Sequence, residues 1–151
     1  MRVQRLDHYS IRTTDLDKTI RFYTEVIGFI SGPRPTFKFP GCWLYNGEDT
    51  FATSNGVVHV IGIDPNDPQG LIEYLGDKDP GKLEGGGAVD HIAFCCTDLA
   101  GLYRRASKTA VPFRERTVPS LDIHQVFFED PSGVTLELNF PATEVPGAKA
   151  A

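Results

Sequence analysis

Sulfur and positive charge are both scarce in this 151-residue chain, which has one methionine, three cysteines and 15 Lys/Arg against 20 Asp/Glu, a formal charge of −5 at pH 7. Three thiols cannot pair completely, and neighbours such as Cys95 and Cys96 point to opposite faces of a strand, which excludes a disulfide framework. They read instead as small apolar residues of a buried strand in a reduced protein. The negative balance, with no Lys/Arg run to offset it, argues against nucleic acid as a partner. No segment approaches the roughly 20 apolar residues of a membrane span, and the opening Met1-Arg2-Val3-Gln4-Arg5-Leu6-Asp7 lacks the apolar core of a signal peptide. A cytoplasmic protein without a membrane partner is expected.

What the chain does have is an internal repeat. Leu6-Asp7-His8-Tyr9-Ser10-Ile11, followed by Thr14-Asp15-Leu16, recurs 83 positions later as Val89-Asp90-His91-Ile92-Ala93-Phe94, followed by Thr97-Asp98-Leu99. A histidine occupies the same place in both copies. A duplicated strand-then-helix unit folds as two facing modules that bring equivalent side chains into one cleft. With 40% apolar residues and no composition shift, the chain is expected to form one domain of two halves.

The first half reads as a strand over Arg5 to Arg12 and a helix capped by Thr14 or Asp15, with Leu16, Ile20, Tyr23 and Ile27 on one face and Gly28 at its end. A hairpin follows, Cys42 to Asn46 against Val57 to Ile63, with Asn46-Gly47 to Asn55-Gly56 as a turn carrying an insertion. Residues 64 to 87, rich in Pro, Gly and Asp, suit a connector. The second half repeats the order, with a strand over Val89 to Cys96 and a helix over Asp98 to Ala110. Its hairpin pairs His124 to Glu129 with Val134 to Phe140 around Asp130-Pro131-Ser132-Gly133. The modules fall at about 1–63 and 88–141, and a frayed tail is expected over 142–151.

His8 through Phe29, with Phe22-Tyr23 and Val26-Ile27-Gly28-Phe29, and the run Phe128-Glu129-Asp130-Pro131-Ser132-Gly133-Val134-Thr135-Leu136-Glu137 resemble the glyoxalase/bleomycin-resistance/extradiol-dioxygenase superfamily, the vicinal oxygen chelate proteins. The resemblance covers nearly the whole chain and implies an α+β fold of two paired βαβββ modules, more specifically than it implies a reaction. It places metal ligands at His8, His59, His91 and Glu137. Imidazoles and a carboxylate suit one divalent ion, Fe, Zn, Ni, Co or Mn, with positions left for substrate oxygens. A carboxylate inside Leu136-Glu137-Leu138 would otherwise be a costly burial.

His59 poses a register question. It lies three residues after Gly56, whereas Glu137 lies four after Gly133. One residue of slip reverses a strand side chain's face, so His59 is a ligand only if a bulge or a different turn corrects the register. With His59 on the metal, four protein ligands leave room for a chelating cis-enediolate and non-redox lyase or isomerase chemistry. With His59 off it, His8, His91 and Glu137 form a facial triad suited to an Fe(II) ring-cleaving dioxygenase, with His59 as an acid/base nearby. If Glu137 faces the cleft, Gln125 and Phe127 face it too and His124 points away. Phe127 stands where ring-cleaving relatives tend to carry tyrosine.

Arg12 matches the place where glyoxalase I proteins hold the glutathione carboxylate. Phe37, Phe39, Trp43 and Tyr45 are candidate walls of an apolar pocket, with Phe127 and Gln125 as further substrate contacts. The expected activity is a metal-dependent lyase or isomerase acting on a small molecule with two adjacent oxygens, in which Glu137 is both ligand and proton-transferring base. A dioxygenase and a metal-free small-molecule binder are the alternatives. The resemblance also implies a homodimer.

Overall fold

The computed structural model describes residues 1, 6, 8–51, 56–75, 89 and 91–146. Asp7, Asp90, Asn55, the 76–87 part of the connector and the end of the tail at 147–151 lie outside them. The chain divides into two compact units, Met1–Thr24 with Gly28–Leu83, and Glu25–Ile27 with Glu84–Ala151.

The first unit is a four-stranded mixed sheet in the order β1-β4-β3-β2. Its strands are β1 (Tyr9–Thr13), β2 (Ile30–Gly32), β3 (Gly41–Tyr45) and β4 (Val58–Gly62). Helix α1 (Leu16–Arg21) opens under the Asp15 cap, whose Oδ1 accepts the Lys18 N–H at 3.0 Å. It continues as a π-helical stretch, Phe22–Ile27, and closes at Gly28 with φ 94°. The wider winding moves the buried positions to Thr19, Phe22, Tyr23 and Val26, while the expected Leu16, Ile20 and Ile27 are only half-buried. Thr19 Oγ1 donates to Thr13 Oγ1 at 2.9 Å, which ties the helix to β1. Ile11, Leu44, Val58 and Val60 form the core on the helix side of this sheet, alternating with residues that face the other side.

The connector is not wholly irregular. Its Pro68 is followed by α2 (Gln69–Leu75), a helix with Gly70 in its first turn. Leu71, almost fully buried, packs with Phe39 and Ile61 on the sheet face opposite α1. A Cβ at Gly70 would strike the Lys38 carbonyl, so the glycine that reads as a helix breaker is what lets α2 approach the β3 entry.

The second unit repeats the plan, with β5 (Ile92–Cys95), α3 (Leu99–Thr109), β6 (Phe113–Val118), β7 (Ile123–Glu129) and β8 (Thr135–Pro141) in the sheet order β5-β8-β7-β6. Asp98 caps α3 from a left-handed conformation (φ 64°), its Oδ1 accepting the Gly101 N–H at 2.9 Å. The β7–β8 turn closes as its residues require. Asp130 Oδ1 accepts the Ser132 and Val134 N–H groups at 2.9 and 2.8 Å, and Gly133 supplies a φ of 77°.

Two expectations fail here. Cys95 is exposed rather than buried, because β5 is an edge strand whose 91, 93 and 95 positions face away from α3. The tail does not fray at 142: Ala142–Glu144 forms a short 3-10 turn, and Glu144 Oε2 accepts the Leu99 N–H at 2.7 Å.

Candidate functional site

In each unit the sheet face opposite the helix carries the candidate residues. In unit 1, β1 pairs Ser10 with His59, and in unit 2, β5 pairs Ala93 with Glu137. Ser10 and Ala93 are equivalent positions of the repeat, so His59 and Glu137 occupy the same ladder position. The different counts from Gly56 and Gly133 reflect different turns and leave the ladders in register. His8 and His91, two residues ahead of Ser10 and Ala93, lie on those same faces, as does Arg12, which pairs with Ile61.

Unit 1 fills its face with rings. His59 is sandwiched, with its ring centroid 3.9 Å from His8 at an interplanar angle of 19° and 4.0 Å from Trp43 at 4°. Trp43 stands directly across the β3–β4 ladder from His59. The stack opens on a cavity of about 250 Å³ lined by Phe37, Phe39 and Tyr74 as well as by these rings and Arg34. Phe37, Phe39 and Trp43 thus stand where an apolar pocket was expected. Tyr45 does not: it is buried in an edge contact with Phe51 at 4.9 Å, and its hydroxyl donates to the Pro33 carbonyl at 2.7 Å.

Unit 2 fills the same face with polar groups. His91 Nε2 lies 3.5 Å from Glu137 Oε2, and the His91 side chain is 38% exposed against 9% for Glu137. The other carboxylate oxygen, Oε1, accepts from Asn139 Nδ2 at 2.8 Å. Asn139 Oδ1 accepts from Gln125 Nε2 at 2.9 Å, and Gln125 Oε1 accepts from Arg116 Nε at 2.6 Å. An arginine can only donate, so Gln125 must turn its oxygen to Arg116 and its NH2 to Asn139, which in turn directs the Asn139 NH2 at Glu137. The line therefore has one polarity, from a guanidinium to a carboxylate. Gln125 and Phe127 face the Glu137 side as expected, and Phe127 lies under two guanidiniums, with Arg114 4.0 Å and Arg116 5.4 Å from its ring.

His124 points to the other side of the sheet, against α3. Its Nδ1 pairs with Thr117 Oγ1 at 2.9 Å, and its Nε2 lies 3.3 Å from the Tyr103 hydroxyl and 3.4 Å from Glu115 Oε2. Tyr103 donates to Glu115 at 2.6 Å. Burial first, and then the Glu115 carboxylate, push the Tyr103 pKa up to about 12.

The donors bear on metal binding in two ways. Two ligands of one ion at about 2.1 Å each are separated by roughly 3 to 3.5 Å when bound at neighbouring positions, and the His91–Glu137 spacing fits that. A carboxylate fixed by an outer hydrogen bond is also the usual arrangement of a ligand. The His8–His59 pair is different, because lone pairs lie in the ring planes and two near-parallel stacked rings do not aim them at one point. Among the described residues no cluster of three or more His, Cys, Asp or Glu forms a metal-holding group. The donors appear as one pair in each unit.

Sequence reasoning missed Arg34, Arg116 and Asn139. Asn139 was recoverable, since it follows Glu137 by two on one strand and so shares its face. The arginines become visible only once β2 and β6 are placed.

The model of the glyoxalase/bleomycin resistance protein/dioxygenase superfamily matches residues 5–138. The chain is 26% identical over 140 residues to glyoxylase I 4 of Arabidopsis thaliana, covering 88% of this chain and 68% of the relative. It is 27% identical over 137 residues to the uncharacterized protein YwbC of Bacillus subtilis, covering 89% and 95%. Among solved structures, the fosfomycin resistance protein of Listeria monocytogenes superposes with a TM-score of 0.60 at 16% identity, over 92% of this chain and 94% of that one. A glyoxalase/bleomycin resistance protein/dioxygenase from Nocardioides gives 0.60 at 16% identity, over 100% and 91%. With two βαβββ units, the repeated histidine and a family match over most of its length, the chain belongs to the glyoxalase/bleomycin resistance protein/dioxygenase superfamily.

Proposed function

We propose that the protein is a divalent-metal enzyme of lyase or isomerase type, acting on a small molecule with two adjacent oxygens. The observation that carries this reading is the shared ladder position of His59 and Glu137, with a histidine two residues ahead of each partner strand's pairing residue. Residue types able to ligate a metal at matching places in both units support the reading. His8, His59, His91 and Glu137 are the proposed metal ligands, His59 joining them by turning its ring out of the stack, and the four leave positions for the two substrate oxygens. A bound divalent ion supplies Lewis-acid polarisation of the substrate oxygens.

The chain's own groups do the rest. Glu137 Oε1 is held by Asn139, so Oε2 would be the ligand atom and, once displaced by substrate, the oxygen that takes and returns a proton. While its ring stays between His8 and Trp43, His59 would instead act as a second proton carrier. The rings of unit 1 exclude water around a bound substrate, and Arg12 stands on the same face of β1, where a guanidinium suits an anionic group of it.

The test is solvent exchange. The metal-loaded protein is incubated in deuterium oxide with the hemithioacetal of glutathione and phenylglyoxal, and separately with a 2-hydroxy ketone. Deuterium entering the carbon next to the carbonyl, lost in Glu137→Gln, supports the reading; no exchange with any divalent metal overturns it. The His8–His59 stack favours one second reading, since a three-ligand set suits an Fe(II) ring-cleaving dioxygenase. Dioxygen uptake with catechol and iron would select it, although Phe127 offers no hydroxyl where such relatives tend to have one.

A further inference from the structure

The unit 1 cavity has an unbalanced charge. Arg34 lines it beside Phe37, Trp43 and Tyr74. The guanidinium donates to two backbone carbonyls, Gly41 at 3.0 Å and Phe39 at 3.2 Å, and lies 5.0 and 5.5 Å from the ring centres of Phe37 and Phe39. None of the ion pairs among the described residues includes it, and its buried Nε has no acceptor. Ring faces offset part of the cost of drying a cation, but an unpaired one still lacks its strongest partner.

Unit 2 shows what the same position looks like when it is satisfied. Arg116 lies across the ladder from Gln125 and donates to it at 2.6 Å. Continuing the β2–β3 ladder places Arg34 opposite Gly41 in the same way, but Gly41 has no side chain to offer. Nor can it gain one, since a Cβ there would meet the Val60 carbonyl. Nε is itself buried, but Nη1 and Nη2 each spend one N–H on a backbone carbonyl and keep a second, and these are the donors left for a ligand's acceptor.

We propose that this cavity selects small organic acids, with an anionic oxygen on Arg34 and a flat apolar body among Phe37, Trp43 and Tyr74. The inference deepens the proposed function by naming the substrate class, and it rests on that reading for the adjacent oxygens. A carboxylate meets a guanidinium in charge-assisted hydrogen bonds that a neutral carbonyl cannot match. The body of the substrate stacks where Trp43 and the phenylalanines already pack.

Trp43 is the chain's one tryptophan, so its emission reports from the cavity wall. The experiment titrates the full-length protein, in EDTA so that no metal contributes, with benzoylformate and with its neutral counterpart 1-phenylpropane-1,2-dione. Benzoylformate is expected to quench saturably, with a dissociation constant about tenfold or more below that of the dione. Arg34→Gln is expected to raise the constant for the acid to that of the dione while leaving the dione within about twofold, and Arg34→Lys to keep part of the preference. Equal affinities in the native protein, no saturable quenching by either probe, or a preference that survives Arg34→Gln would each overturn the proposal. Should Arg34→Gln fail to fold, the native and Arg34→Lys titrations decide: an Arg34→Lys preference equal to or above the native one counts against it. A protein that prefers the acid but never binds metal would keep this inference and lose the enzymatic reading, whereas one that binds metal without the preference would do the reverse.

Discussion

The two units share a strand order and a register yet differ in what covers the same face. At matching ladder positions unit 1 has Gly41, Trp43, His59 and Ile61 where unit 2 has Gln125, Phe127, Glu137 and Asn139. One face is a stack of rings beside a cation with no carboxylate; the other is a line of hydrogen bonds that delivers a cation's polarity to a carboxylate. Topology fixes where a functional side chain stands, and the residues flanking it across the ladder decide whether, equally buried, it is stacked between rings or held in a line of hydrogen bonds. A duplicated fold can thus carry two different chemistries on the same face of its two halves.

The comparison breaks most severely at the polar pair. His91→Ala and Glu137→Gln are each expected to lower turnover by more than about a hundredfold, since losing a ligand must exceed the 10 to 100-fold effect of losing a residue behind it. Metal content measured on the same samples checks that the loss follows the ion. Asn139→Leu should weaken metal affinity by about tenfold or more by freeing Glu137 Oε1, and Gln125→Leu by less because it acts one step further away. Competition with a chelator of known affinity measures both, and an equal effect of the two would contradict the ordered line.

The β7–β8 turn sharpens the comparison on the side of stability. Asp130→Ala removes an acceptor shared by two backbone N–H groups and is expected to cost about 1 to 3 kcal/mol in urea unfolding. The smallest effect lies on the helix side of unit 2. Tyr103 keeps its proton up to about 12 in the folded protein, against about 10 in the unfolded chain. The folded state therefore binds more protons between those values, so stability falls as pH rises from about 10 to about 12. Tyr103→Phe should flatten that fall. Tyr45 of unit 1, also raised by burial, contributes a remainder that the substitution leaves in place.

The repeat made much of this legible. It located β1, β5 and both helix starts and singled out His8 and His91, because a duplicated pattern needs no tertiary knowledge to be seen. The short β2, Ile30–Gly32, and the charged β6, Phe-Arg-Glu-Arg-Thr-Val over 113–118, were not legible as strands. One is too brief for a periodic signal, and the other is an edge strand whose exposed charges hide its alternation. With them went Arg34 and Arg116. Counting from the turn glycines leaves the register of His59 open, because turns vary in length while ladders do not; a different turn brings it into register with Glu137. Helix α2 was masked by Pro68 and Gly70, residues that punctuate sequence but here permit close packing.

The central claim is that both units supply ligands to one class of divalent ion, and metal content tests it most directly. Protein purified anaerobically without an affinity tag, with His8→Ala and His91→Ala alongside, is analysed for its elements. The account requires near-stoichiometric divalent metal in the native protein and its loss in both variants. Metal retained by either variant, or a native protein that neither carries nor takes up any, would contradict it.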